Sequence, residues 1–276
     1  MAVARDKMWI FGTCAHDDDI FLFNNSKTTK TLRRSRITPA EAAFLLDIPN
    51  MLMINSDGVP APFSIDAYGY LESFGRMGKV MWSSIGSGGF RCGEEEAFIC
   101  KAAERYPNIA GTYLDDFYAH FADKDAEHAI ENATGFLAEI RKKLDAAPRR
   151  MDIYVTWYME HLDLLNEGLM KYIDGLTLWT GSSGELPLLE ERFEKTKKAF
   201  PDKKILLGLY LYDYGARKSV PVDMMKHQCE VSLRLLKEGK IDGMIFLSNT
   251  VMGVGLESEL WLREWLEAVK YTEIPD

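Results

Sequence analysis

Eight short apolar runs, each followed by a polar or amphipathic stretch, set the rhythm of this chain. They are Met8–Thr13, Met51–Asn55, Lys79–Ser83, Ile109–Asp115, Asp152–Tyr158, Ile173–Trp179, Lys204–Tyr212 and Ile241–Ser248, and they predict buried strands. Helix signals lie between them. Thr38-Pro39-Ala40-Glu41 supplies an N-cap, a proline at the first helical position and a capping-box glutamate ahead of Phe44, Leu45 and Leu46. Asp125–Leu144 carries Ile130, Leu137, Ile140 and Leu144 on one stripe. Pro221–Glu238 carries Val231, Leu235 and Leu236, and Glu257–Val269 carries Leu260, Leu262, Trp265 and Leu266. Strand and helix in strict alternation predict an α/β fold, a single (β/α)8 TIM barrel over residues 1–276. An open doubly wound sheet is the competing arrangement, and the chain lacks its early Gly-x-Gly-x-x-Gly turn.

Three of the runs open alike, with Ile109-Ala-Gly111, Ile173-Asp-Gly175 and Ile241-Asp-Gly243, as repeated βα units would. The longest irregular stretch, Ala15–Ser35, follows the first run and would lie over the mouth of a barrel. Successive strand side chains point to opposite faces, and the more apolar set belongs against the outer helices. Tyr113 and Asp115, Tyr154, Thr156 and Tyr158, Thr177 and Trp179, and Gly208, Tyr210 and Tyr212 therefore face inward.

Composition narrows the picture. The 276 residues suit one barrel, a fold that takes about 250. A net charge of −9 and a pI near 5.2 argue against a nucleic-acid partner. No apolar run approaches the roughly 20 residues of a membrane span. The start, Met1-Ala-Val-Ala-Arg-Asp6, has no apolar signal segment, so the expected location is cytoplasmic, or secreted or periplasmic if a leader has been removed. Cys14, Cys92, Cys100 and Cys229 show no Cys-x-x-Cys spacing, so neither a disulfide framework nor structural zinc is expected. The pattern specifies no oligomeric state.

The sharpest chemical feature is Ile109-Ala-Gly-Thr-Tyr-Leu-Asp115-Asp116-Phe117, which ends an apolar strand on two adjacent carboxylates. Carboxylates are costly in a core, but the C-terminal ends of barrel strands are where that fold builds active sites. Trp82, Tyr158, Trp179 and Tyr212 near other strand ends would stack on the CH faces of sugar rings. His16, Asp18, Glu160 and Asn249 would meet hydroxyls. Glycoside hydrolysis needs one protonated and one ionised carboxyl. Asp115 and Asp213 are the expected pair, with Asp116 tuning Asp115, and Glu160 and Glu185 are further candidates for the second group. The reading is a glycoside hydrolase acting on an oligo- or polysaccharide, with a carbohydrate as its ligand and neither cofactor nor metal. Blander roles compete: Asp115-Asp116 as a helix cap, and the aromatics as structural plugs.

Gly111-x-Tyr113-Leu-Asp115-Asp116-Phe117 resembles the strand-four segment of TIM-barrel glycoside hydrolases and of glycosidase-like barrels related to them. In the retaining barrels of the largest glycosidase clan the acid follows strand four and the nucleophile strand seven. The resemblance carries those roles onto Asp115 and Asp213. Those enzymes have Glu at both places with Asn before the first, and this chain has neither. The Asp-x-x-Asp-x-Asp-x-Glu strand of chitinases is also missing. Three rival readings follow from other residues. A metal-dependent barrel would use His16, Asp17, Asp18 and Asp19 with Asp115 or His161. A phosphate-binding barrel would use Gly86-Ser-Gly88-Gly89 or the loop Asn249–Ser258. A non-catalytic carbohydrate-binding barrel would keep the aromatic cleft alone.

Overall fold

Strands form where the apolar runs sit. The computed structural model describes residues 2–19, 22 and 35–275. Its barrel strands are β1 (Met8–Gly12), β2 (Asn50–Met53), β3 (Lys79–Ile85), β4 (Ile109–Leu114), β5 (Asp152–Tyr158), β6 (Gly175–Trp179), β7 (Lys204–Tyr210) and β8 (Gly243–Leu247). They follow one another around a closed barrel, and β8 returns to pair in parallel with β1. This is the (β/α)8 architecture. The helices are α1 (Pro39–Leu46), α2 (Ile65–Ser73), α3 (Glu95–Arg105), α4 (Phe117–Ala122), α5 (Ala129–Leu144), α6 (Glu167–Met170), α7 (Leu189–Ala199), α8 (Val222–Lys237) and α9 (Glu257–Val269). Much of the irregular stretch Ala15–Ser35 lies outside the described residues.

Local chemistry accounts for several boundaries. Thr38 accepts the Glu41 N–H while the Glu41 carboxylate accepts the Thr38 N–H, which starts α1 as the sequence predicts. The helix expected from Asp125 begins at Ala129 instead, because the Asp125 carboxylate takes the His128 N–H in a turn before it. β7 stops at Tyr210, earlier than expected. Tyr212-Asp213 turns away to pair antiparallel with Lys218-Ser219.

Compactness divides the chain into two units. One comprises Met1–Met51, Tyr158–Glu160 and Leu178–Asp276, the other Leu52–Trp157 and His161–Thr177. In the first, Trp179 fills the space over Gly208, where a Cβ would come within 2.1 Å of the indole. Phe11 and Tyr210 flank the same ring at 5.8 and 5.0 Å between centroids. In the second, β4 and β5 run so close that a Cβ on Gly111 would sit 2.0 Å from the Asp152 carbonyl oxygen.

Two of the three Ile-x-Gly openings, those with Asp at the middle position, acquire a physical reason. Asp174 donates its N–H to the Ile153 carbonyl and accepts the Ile153 N–H on its carboxylate, at 3.0 and 2.9 Å. Asp242 makes the same two bonds to Ile205 within the other unit, at 2.7 and 2.9 Å. Each aspartate thus clasps the foot of the preceding strand. Burial pushes the Asp174 carboxyl up, but the Ile153 N–H and the guanidinium groups of Arg150 and Arg141 outweigh it and hold the group below its usual range. A lowered carboxylate pKa gives stability that is present above the unfolded value of about 3.9 and lost as pH falls through the folded one. Asp174→Asn is therefore expected to cost about 1–2 kcal/mol at pH 7 and progressively less in acid, read from urea midpoints across pH.

Candidate active site at the end of strand β4

Asp115 is the first residue past β4, and its N–H is fixed by the Ile85 carbonyl at 2.9 Å. The β3–β4 register shifts between Ser83 and Ile85, a bulge of the kind that re-aims side chains beside active sites. The Asp115 side chain is 6% exposed. Its Oδ1 accepts the Asp116 N–H at 3.0 Å and lies 3.0 Å from the Thr156 hydroxyl. Burial, and then the neighbouring Asp116 carboxylate, push its pKa well above the carboxylate range. Below it, the Thr156 hydroxyl is 2.6 Å from the Tyr113 phenol, which is 3.1 Å from the Thr177 hydroxyl. Thr177 donates to the Val155 carbonyl at 3.1 Å. Inward-facing residues of β4, β5 and β6 thus form one column of hydroxyls ending at Asp115. Alternation placed Thr156 inside, but its contact with Asp115 depends on the β4–β5 register.

Asp116 occupies the N-cap position of α4 in a left-handed conformation (φ 44°), yet its side chain makes no capping bond. Its Oδ2 instead accepts the Gly88 N–H at 3.0 Å. The other amides of that loop are also taken: Gly86 by Phe90, Ser87 by Asn55 and Gly89 by Gly86. No free N–H cradle is left there for a phosphate. Beside this loop the Asn55 amide oxygen is buried without a hydrogen-bond partner among the described residues.

The remaining expected contacts separate by what their side chains touch. Trp82 packs edge-on against Phe98 of α3, 5.2 Å between centroids. Asn249 is fully buried. Its amide accepts the Thr13 N–H and donates to the Thr13 and Ile37 carbonyls, which pins the chain after β1. Tyr212, expected inside the barrel, belongs to the antiparallel pair after β7 and is fully buried against Tyr214. Trp179 is inward, as a buried plug.

Asp213 accepts the Ser183 N–H and hydroxyl on Oδ2, at 2.9 and 2.6 Å, and the Ala216 N–H on Oδ1 at 2.8 Å. Burial would raise its pKa, but these donors outweigh it and lower the value, so the group is ionised. It borders a cavity of only about 10 Å³, lined also by Thr180, Tyr210 and Gln228, about the room one water needs. Asp18 is buried under the hydroxyls of Tyr214, Thr250 and Ser248, and burial raises its pKa despite them. His16 stands 3.3 Å from Asp19. Tyr158 and Glu160 both come close to Gly181. Glu160 shares a hydrogen bond with Glu185, while Arg192 lies 2.9 Å from Glu185 and 3.6 Å from Glu160. Burial and the shared bond raise Glu160, and Arg192 lowers Glu185, so the two titrate as a pair with Glu160 the more basic.

Solved structures share this architecture over nearly the full chain. The catalytic domain of a hyperthermophilic chitinase from Pyrococcus furiosus is 13% identical, with a TM-score of 0.56 and 97% of each chain covered. A GH99 endo-α-mannosidase from Bacteroides thetaiotaomicron is 8% identical, with a TM-score of 0.55 over 97% of this chain and 98% of the other. The family 1 β-glucosidase from Thermotoga maritima is 8% identical, with a TM-score of 0.54 over 98% of this chain and 99% of the other. These glycoside hydrolases share the (β/α)8 barrel of this chain. At such identities the likeness is one of fold alone. No family model and no curated protein sequence matches the chain.

Within this barrel the chemistry available at β4 is proton transfer. Asp115 is a buried carboxyl whose pKa is raised by burial and then by Asp116, with an N–H and a hydroxyl placed to receive charge when the proton leaves. Among the described residues no three His, Cys, Asp or Glu side chains converge, and no helix is long and apolar enough to cross a membrane.

Proposed function

We propose that the protein is a glycoside hydrolase in which Asp115 protonates the departing glycosidic oxygen. The observation that carries this reading is the buried carboxyl at the end of β4, its pKa raised by burial and by Asp116. Among the described residues both of its hydrogen bonds fall on Oδ1, which leaves Oδ2 to hold the proton. As the bond from the anomeric carbon to the leaving oxygen breaks, the proton moves from Oδ2 to that oxygen; water then bonds to the anomeric carbon and returns a proton to Asp115. The charge left on Asp115 is met by the Asp116 N–H and the Thr156 hydroxyl. Asp116, tied to the Gly88 amide, keeps the Asp115 pKa high between turnovers.

A carbohydrate-binding barrel without turnover is the second reading. Its support is Asp213, whose oxygens are spent on Ser183 and Ala216 rather than left open for a base or nucleophile. A panel of p-nitrophenyl glycosides separates the two. The hydrolase reading expects release of p-nitrophenol from at least one member, unaffected by EDTA, and on the matching alkyl glycoside a kcat/KM that falls as pH rises and Asp115 loses its proton. Binding of the matching methyl glycosides with no release across the panel would select the binder instead.

A further inference from the structure

The Thr156 hydroxyl has a single hydrogen and two acceptors within reach. The Tyr113 phenol oxygen lies at 2.6 Å and the Asp115 Oδ1 at 3.0 Å. The other donors in the column have destinations that do not depend on Thr156. Tyr113 reaches the Thr177 hydroxyl at 3.1 Å, and Thr177 donates to the Val155 carbonyl. Either position of the Thr156 hydrogen therefore leaves the column without an unmet donor. The atoms involved are deeply buried: Tyr113 and Thr177 are 0% exposed and Thr156 is 3% exposed. A hydrogen bond to a charged group is about twice as strong as one to a neutral group.

We infer that Thr156 is a positioning residue whose hydroxyl hydrogen turns between Tyr113 and Asp115 according to the charge on Asp115. While Asp115 is neutral, the hydrogen rests on the shorter contact, the phenol oxygen. When Asp115 gives up its proton, the hydroxyl rotates about the Thr156 Cβ–Oγ1 bond and donates to Oδ1. No covalent bond changes, and the Asp115 proton is the only one transferred. The two states differ by one rotation in a rigid barrel interior, so the ionised acid is solvated by the protein without reorganising the site. Among the described residues, the titratable side chain facing Asp115 is that of Asp116. Tyr113 is the other titratable member of the column. β3 meets Asp115 through Ile85, β5 through Thr156, and β6 reaches the column through Thr177, none of which titrates.

This inference deepens the proton-donor reading and rests on it for a role in turnover, but its test does not require turnover. The Asp115 carboxyl is followed by 13C NMR in aspartate-labelled protein, with its signal assigned by loss in Asp115→Asn. Thr156→Val keeps the shape and removes the hydrogen, and is expected to raise the Asp115 titration midpoint by about one pH unit. Thr156→Ser keeps the hydrogen and is expected to titrate as the wild type. If a glycoside is turned over, the alkaline limb of kcat/KM should move by the same amount in the valine variant alone. Equal midpoints in the wild type and Thr156→Val overturn the inference, as does a serine variant shifted as far as the valine one. Thr156→Ala gives the same readout should the valine variant not fold. A wild type that hydrolyses no glycoside, yet shows the valine shift and the serine rescue, would end the glycosidase reading and leave the hydroxyl switch standing.

Discussion

Asp115→Asn is expected to lower turnover by about 10²–10⁴-fold on glycosides with poor leaving groups, the usual worth of a general acid. On p-nitrophenyl glycosides the loss should be much smaller, because a stable phenolate departs without protonation. The alkaline limb of the pH profile should disappear with it. Asparagine matches the neutral acid in size and can still accept the Asp116 N–H, so the loss reports the proton and not the packing. Stability should move the other way. The folded protein favours neutral Asp115, whose pKa is raised first by burial and then by Asp116. A raised carboxyl pKa gives stability that is fully present below the unfolded value and is lost as pH rises through the folded one. The asparagine variant escapes that loss, and thermal melts across pH should show it gaining on the wild type towards alkaline pH. A variant with unchanged turnover on alkyl glycosides would remove Asp115 from the reaction.

Gly111→Ala is expected to be strongly destabilising. Its Cβ would meet the Asp152 carbonyl oxygen at 2.0 Å and the Asp152 nitrogen at 2.6 Å. Those atoms are backbone, and Gly111 stands opposite Asp152 in the β4–β5 register, so no side chain can swing aside. The strands must separate, at a cost of about 3 kcal/mol or more, beyond the usual range for overpacking. Gly135→Ala in α5 is the matched control. A Cβ there meets nothing within 4 Å. Alanine should add about 0.5–1 kcal/mol at that helical position. Urea denaturation of the pair gives both numbers, and a Gly111→Ala protein as stable as the wild type would mean the strands are not packed this closely.

The strands and the inward faces of β4 and β6 could be read from the sequence because both rest on local periodicity. Tyr113 and Thr177 meet inside, as alternation requires. The start of α1 was equally legible, since its capping box uses residues only three apart. What depended on alignment between strands was not. Trp82 sits on a strand whose register to β4 slips twice, and it faces α3. Tyr212 kept its parity on paper, but β7 had already ended and the chain had turned into a separate pair. Asn249 has the chemistry of a ligand contact and spends it on the backbone of Thr13 and Ile37. The polar residues that face one another across strands, Thr156 and Asp115 above all, are set by register, which a single chain read linearly does not display.

The aspartate clasps at the feet of β5 and β7 carry a consequence for how such a protein changes over time. Each uses one side chain and the main chain of its neighbour, so it aligns a strand without consulting the residues at the other end. Loops at the rim can then be lengthened, shortened or rewritten while the alignment beneath them holds. A scaffold locked from below leaves its upper edge free for experiment, and new specificities become accessible by local edits rather than by refolding the whole.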